Sequence, residues 1–237
     1  MKVEAIVPAA GLGLRLEASL PKPLVKIAER PILIHTLCAL SESRSIRRII
    51  LAVNKGYLDK FREVLKRFPV KKRIELVLGG ASRRESVENC LKTIDSAANI
   101  ILVHDAVRPF VSKDLIDRLL KEAKVSPAVI CGVPVKATIK RVTGNGLRGT
   151  AGRVIETLNR KGLWEIQTPQ VFQKDLLLKA YVKFKDTPAT DDASLVEKLG
   201  IKVKVILGSY FNIKITTPED LVFAKTIVKS FPLRKRS

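Results

Sequence analysis

Cysteine is scarce in this chain, with Cys38, Cys90 and Cys131 its only three in 237 residues. An odd count at wide spacings, inside apolar patterns, provides neither a disulfide framework nor a zinc-type ligand set, so the three read as buried thiols in a reducing compartment. Long apolar runs are also missing. No window approaches the roughly 18 unbroken apolar residues of a membrane-spanning helix, which predicts a soluble protein. The stretch 1–7 is too short for a signal peptide and carries Glu4 where the apolar region should be; it reads as a first strand in a cytoplasmic protein. Aromatics amount to 5% and are not interleaved with basic residues, which argues against a stacking platform for single-stranded nucleic acid.

Acidic residues are in short supply, 23 against 44 Lys plus Arg, a formal charge of +21. Such an excess concentrates polyanions near the surface, either a nucleic acid or a small phosphorylated substrate. Much of it lies between Arg44 and Arg73 and in the tail Arg234-Lys235-Arg236. In the first of these stretches Tyr57, Leu58, Phe61, Val64, Leu65 and Phe68 recur at helical spacing, which turns the cations outward as a solvated face.

The apolar residues that are present alternate between strand-like and helix-like patterns. Strands are expected at 3–7, 49–53, 74–78, 100–103 and 128–135, separated by helices at 32–40, from Tyr57, at 84–94 and at 115–123: the signature of parallel βαβ units. The runs at 49–53 and 100–103 are continuous rather than alternating, as strands covered on both faces should be. From 136 to 168 the pattern changes to two alternating strands around Gly144-Asn145-Gly146, an inserted hairpin arm. A two-stranded ribbon is marginal alone, and a second subunit is its natural cover. Helices at 174–184 and 191–199, strands at 203–207 and 211–215, and a last helix with Thr217 as N-cap and Pro218 at its first position complete the pattern. Without repeats or linkers, 1–237 reads as one domain.

The chemistry is concentrated at strand ends. Pro8-Ala9-Ala10-Gly11-Leu12-Gly13-Leu14-Arg15-Leu16 and then Pro21-Lys22 follow the first strand. A small-residue turn leaving a strand presents backbone N–H groups to an anion. Leu16 stands where a dinucleotide fingerprint needs glycine, and Pro21 where a Walker loop needs it. What remains is a phosphate loop with two cations, Arg15 and Lys22, suited to a triphosphate whose α-phosphorus gathers charge under attack. Gly79-Gly80-Ala81-Ser82-Arg83-Arg84-Glu85-Ser86 opens a helix at capping-box spacing, where backbone and hydroxyl groups could read a base or ribose. In His104-Asp105-Ala106-Val107-Arg108-Pro109, Asp105 could hold Mg²⁺ or a ribose hydroxyl and Arg108 a phosphate, whereas His104 reads as structural. No Ser-His-Asp or zinc constellation is present, consistent with phosphoryl chemistry run by positioning and electrostatics.

Taken in order with Thr138, Arg160, Leu163-Trp164, Thr168-Pro169-Gln170, Thr190-Asp191 and Asn212-Ile213-Lys214, these motifs resemble the 2-C-methyl-D-erythritol 4-phosphate cytidylyltransferase family over nearly the whole chain. The resemblance implies a Rossmann-like three-layer α/β nucleotidyltransferase fold with a mostly parallel sheet and a β-hairpin dimerisation arm. It also implies CMP transfer from CTP, a divalent ion such as Mg²⁺, a homodimer, and a place in the non-mevalonate isoprenoid pathway. By position, Arg15 and Lys22 look like the triphosphate-binding pair, and Arg160 and Lys214 like the residues that position the substrate phosphate. Ala9, Ala10, Gly11, Gly13, Gly79, Gly80, Arg83 and Ser86 fall where the family binds nucleotide. Asp105, Arg108, Thr138, Thr168 and Thr190 fall where it surrounds substrate and metal, with Asp105 as the metal candidate. The sequence departs from the family at Leu16, Pro23 and Asn159, which flank motif residues. Ribitol 5-phosphate enzymes share most of the motifs and form the alternative. A basic nucleic-acid-binding protein is the rival from another class, and it would require none of the ordered phosphate-loop motifs.

Overall fold

Continuous apolar runs such as 49–53 and 100–103 need cover on both faces, and in the computed structural model, which describes residues 1–11, 20–143 and 152–230, they lie inside a seven-stranded sheet. In chain order the strands are β1 (Val3–Pro8), β2 (Lys26–Ile27), β3 (Arg30–Pro31), β4 (Ile46–Val53), β5 (Arg73–Leu78), β6 (Ile100–Val103), β7 (Ala128–Pro134), β8 (Lys140–Val142), β9 (Val154–Thr157), β10 (Trp164–Gln173) and β11 (Lys204–Leu207). The helices are α1 (Ile32–Ser41), α2 (Leu58–Arg67), α3 (Arg83–Leu91), α4 (Lys113–Glu122), α5 (Lys174–Lys183), α6 (Asp192–Glu197) and α7 (Pro218–Ser230). The sheet runs β11-β7-β10-β6-β1-β4-β5, with β10 antiparallel to both neighbours and every other pair parallel.

Alternate residues of each strand feed opposite layers. Val3, Ala5 and Val7 of β1 pack with Ile49 and Leu51 against Leu37, Phe61 and Leu119 of α1, α2 and α4. Ile6, Ile50, Ile101 and Phe172 face Val87, Leu177 and Val196 of α3, α5 and α6. Burying side chains of this size contributes about 1.5–3 kcal/mol each, so the continuous runs fix the three-layer arrangement. A smaller cluster, Ile27, Ile32, Ile215 and Ala224, seats α7. Among the described residues no helix is long and apolar enough to cross a membrane.

Two elements differ from the sequence pattern. The strand β10 was not expected, because Pro169 and the polar Gln167, Thr168 and Gln170 interrupt its apolar run. Its pairing with β7 skips between Gln167 and Gln170, so the ladder asks nothing of the proline nitrogen. Conversely, 211–215 is not a strand; it runs as an irregular segment whose Ile215 N–H donates to the Val107 carbonyl at 3.0 Å. The arm's strands β8 and β9 pair antiparallel, apart from the main sheet, with every residue exposed. The turn Gly144-Asn145-Gly146 lies outside the described residues. Within the range 136–168, residues from Trp164 onward belong to β10 of the sheet.

Candidate active site

The strands β1, β4, β5 and β6 are parallel neighbours, so their carboxyl ends and the loops leaving them share one edge. The first loop is tied down at Ala9, whose N–H donates to the Ala52 carbonyl at 2.8 Å, and by the Asn54 side-chain amide on the Ala10 carbonyl at 3.4 Å. Ala9 and Ala10 are buried, whereas Gly11 is exposed, and a Cβ there would meet nothing within 4 Å among the described residues. Gly13 and Arg15 lie outside the described residues.

Gly79 and Gly80 are required by their neighbours. A Cβ on Gly79 would sit 2.3 Å from Ala10 Cβ, and one on Gly80 2.3 Å from Glu85 Cβ. Behind them, the buried Ser86 hydroxyl donates to the Ser82 carbonyl at 2.8 Å and accepts from the Gly80 N–H at 3.2 Å. Ser82 caps α3 by accepting from the Glu85 N–H at 3.1 Å, while Glu85 reaches back to the Ala81 N–H at 2.9 Å. The glycine turn is thereby bonded to the start of α3, with Gly79 against Ala10 of the loop after β1.

At the end of β6, the nearly buried Asp105 carboxylate collects three cations: Arg83 Nε on Oδ1 at 3.2 Å, and Arg108 Nε at 3.2 Å and Lys214 Nζ at 3.0 Å on Oδ2. Burial alone would raise this carboxyl, but Arg83, Lys214 and Arg108 outweigh it and hold it well below the usual carboxylate range. Arg108 also donates to the Asn212 carbonyl at 2.7 Å, in the irregular segment 211–215. Lys22, buried in a short 3₁₀ turn, donates from Nζ to the Thr216 carbonyl at 2.9 Å in that same segment.

Thr168 of β10 joins the cluster from the far side: its hydroxyl accepts from the Asp105 N–H at 3.0 Å and lies 3.0 Å from His104 Nδ1. His104 Nε2 is 3.1 Å from the Arg108 carbonyl, which can only accept. Nε2 therefore carries the proton, Nδ1 accepts from Thr168, and the imidazole is neutral. Burial pushes its pKa down to about 4. His104 is a fixed structural link.

The remaining sequence candidates are placed elsewhere. Thr138 and Arg160 sit on the exposed arm, where the Arg160 guanidinium donates to the Lys136 carbonyl at the arm's base. Thr190 is exposed, just before the cap of α6. Sequence reasoning gave no role to Asp192, which is fully buried and pairs with Arg83 Nη2 at 2.9 Å, or to Tyr181, whose hydroxyl donates to Asp192 at 2.6 Å. The adjacent acids of Thr190-Asp191-Asp192 were the available signal, but nothing local says which of them turns inward. Among the described residues no three His, Cys, Asp or Glu side chains gather into a metal cage.

A mostly parallel sheet whose carboxyl edge joins a small-residue loop, a capped helix start and a ring of cations defines an α/β protein that binds phosphorylated nucleotides. Residues 3–230 match the family model described as 2-C-methyl-D-erythritol 4-phosphate cytidylyltransferase, and the chain belongs to that family of nucleotidyltransferases. A Bacillus velezensis protein of that name is 43% identical over 233 residues, 97% of each chain. Among solved structures, 4-diphosphocytidyl-2C-methyl-D-erythritol synthase from Anaerococcus prevotii is 34% identical with a TM-score of 0.81, covering 96% of this chain and 98% of its own. The Thermus thermophilus 2-C-methyl-D-erythritol 4-phosphate cytidylyltransferase is 31% identical with a TM-score of 0.77, covering 97% and 100%.

Proposed function

We propose that this protein transfers CMP from CTP to 2-C-methyl-D-erythritol 4-phosphate, releasing pyrophosphate and giving 4-diphosphocytidyl-2-C-methyl-D-erythritol for isoprenoid biosynthesis. The observation that carries the reading is the gathering of Arg83, Arg108 and Lys214 on Asp105, with Lys22 tied to Thr216 two residues past Lys214, in a chain that belongs to the family from residue 3 to residue 230.

The triphosphate lies along the backbone of Ala9, Ala10 and Gly11, with Lys22 and Arg15 offsetting the charge that grows on the α-phosphorus and the departing pyrophosphate. The cytidine occupies the turn Gly79-Gly80 and the start of α3, beside Arg83 and Ser86. Lys214 and Arg108 orient the polyol phosphate, with Thr168 and Thr190 beside it. One of its oxygens attacks the α-phosphorus in line, the bond to the bridging oxygen breaks, and pyrophosphate leaves without a covalent enzyme intermediate. Asp105 fits Mg²⁺ as a lone carboxylate, the way this ion is held when substrate phosphates and waters complete its shell. Lys214, the most exposed of its three partners, is the one free to yield. Bound there, the ion would neutralise charge on the triphosphate.

The exposed Val142, Val154 and Ile155 on the two-stranded arm support a homodimer in which a second copy covers the ribbon, bringing Thr138 and Arg160 to the partner's substrate. The reading places the enzyme in the cytoplasm, where the thiols of Cys38, Cys90 and Cys131 stay reduced, with neither nucleic acid nor membrane as a partner. A pyrophosphate-release assay with CTP tests it: turnover is expected with methylerythritol phosphate. Equal turnover with ribitol 5-phosphate would move the assignment to that polyol, and none with either would overturn it.

A further inference from the structure

Asp192 is a carboxylate without exposed surface, and no step above uses it. Its Oδ2 holds Arg83 Nη2 at 2.9 Å while Oδ1 accepts the Tyr181 hydroxyl at 2.6 Å. On the other side of the same guanidinium, Nε meets Asp105 Oδ1 at 3.2 Å. Arg83 is therefore gripped between two carboxylates from different elements, with 28% of its side chain still open.

The grip is itself anchored. Asp191 caps α6 by accepting from the Ser194 N–H at 3.1 Å, and its other oxygen accepts the Gln170 amide at 2.6 Å. Gln170 in turn accepts from the Ala193 N–H at 3.1 Å, so β10 and α6 together fix where Asp192 points. Burial, with the Asp192 charge beside it, pushes the Tyr181 hydroxyl well above the ordinary tyrosine range and keeps it a donor.

Burying a carboxylate costs several kcal/mol before its partners compensate, and an apolar side chain would fill the space without that cost. What the carboxylate supplies is a fixed direction for an arginine that otherwise has several rotatable bonds to order. We propose that Asp192, backed by Tyr181, is a positioning residue that pre-organises Arg83 at the rim of the nucleotide site and stops it from folding entirely onto Asp105. The inference rests on the reading that Arg83 faces CTP. Pre-organisation lowers the ordering cost that binding must meet, so its loss falls on nucleotide affinity rather than on the chemical step.

Steady-state kinetics and CTP calorimetry on the full chain test this with Asp192→Asn, Tyr181→Phe, Arg83→Gln and the pairwise double variants. In Asp192→Asn, KM and Kd for CTP should rise about tenfold, with kcat within about twofold and KM for the polyol phosphate unchanged. Tyr181→Phe keeps the ring packing and should move the same constants in the same direction by about threefold. The double variants with Arg83→Gln should be no worse than Arg83→Gln alone. If Asp192→Asn fails to fold, Tyr181→Phe and its pair with Arg83→Gln carry the test. Wild-type CTP constants in the folded variants, a drop in kcat alone, or full additivity with Arg83→Gln would overturn the inference while leaving the activity intact. A wild-type protein that releases no pyrophosphate from CTP would overturn the functional reading, and this inference with it.

Discussion

The α-carbon of Gly79 faces the methyl group of Ala10 so closely that a Cβ there would stand 2.3 Å from it and 2.9 Å from the Ser86 hydroxyl. The loop after β1 and the glycine turn after β5 are thus packed against each other with no room for a side chain. Gly79→Ala must push one of them aside, at a cost of about 1–3 kcal/mol for overpacking, and CTP affinity should fall with stability. At Gly11 an added Cβ meets nothing within 4 Å among the described residues, so Gly11→Ala should change stability by less than about 0.5 kcal/mol. Thermal unfolding with and without CTP distinguishes the two; equal loss in both variants would show that the glycines serve backbone freedom rather than this contact.

Lys22 is buried and reaches the Thr216 carbonyl, which places its charge against the segment that follows Lys214. On the proposed mechanism its charge acts mainly as pyrophosphate departs, so Lys22→Ala should lower kcat roughly 10²-fold or more. Turnover close to that of the unaltered protein would remove Lys22 from the chemistry.

His104 is held neutral with its pKa pushed down to about 4, whereas in the unfolded chain a histidine titrates near 6.5. Between these values the unfolded state binds the extra proton, so the stability contribution is complete above about pH 6.5 and falls as the pH drops toward 4. At pH 5 the loss from this residue should be about 2 kcal/mol relative to pH 7.5. His35, also shifted down by burial, adds in the same direction. Urea unfolding at both values checks it: His104→Gln should be less stable at pH 7.5 but lose clearly less on acidification.

The arm gives the fourth prediction. Arg160 donates to the Lys136 carbonyl at the base of an exposed ribbon, while Lys22 sits in the body of the domain. If each site is built from both copies, Lys22→Ala and Arg160→Ala proteins should each be nearly inactive yet restore activity when mixed. Random exchange makes about half the dimers mixed, each with one intact site, so recovery should approach a quarter of wild type. Mixed dimers seen by native mass spectrometry without recovery would assign Arg160 to its own chain or to no role.

The sequence alone determined whatever depends on near neighbours. Continuous runs such as 49–53 and 100–103 can be covered only on two faces, which dictates a layered parallel sheet, and the Ser82 and Thr217 caps mark their helix starts within three residues. The glycines at 79 and 80 are likewise legible as the lead into a capped helix, whereas the lack of room at Gly79 comes from the distant Ala10. Only the tertiary structure decided how distant pieces meet. β10 enters antiparallel between β6 and β7 despite Pro169, because the ladder skips there, and this puts Thr168 against the Asp105 N–H across 63 positions of sequence. It also turned Asp192 inward while Asp191 caps α6, and it left 211–215 irregular, with the Asn212 carbonyl on Arg108. Periodicity reports which face of an element is apolar; it carries no information about which remote partner will compensate a buried charge, and that pairing is what builds the site.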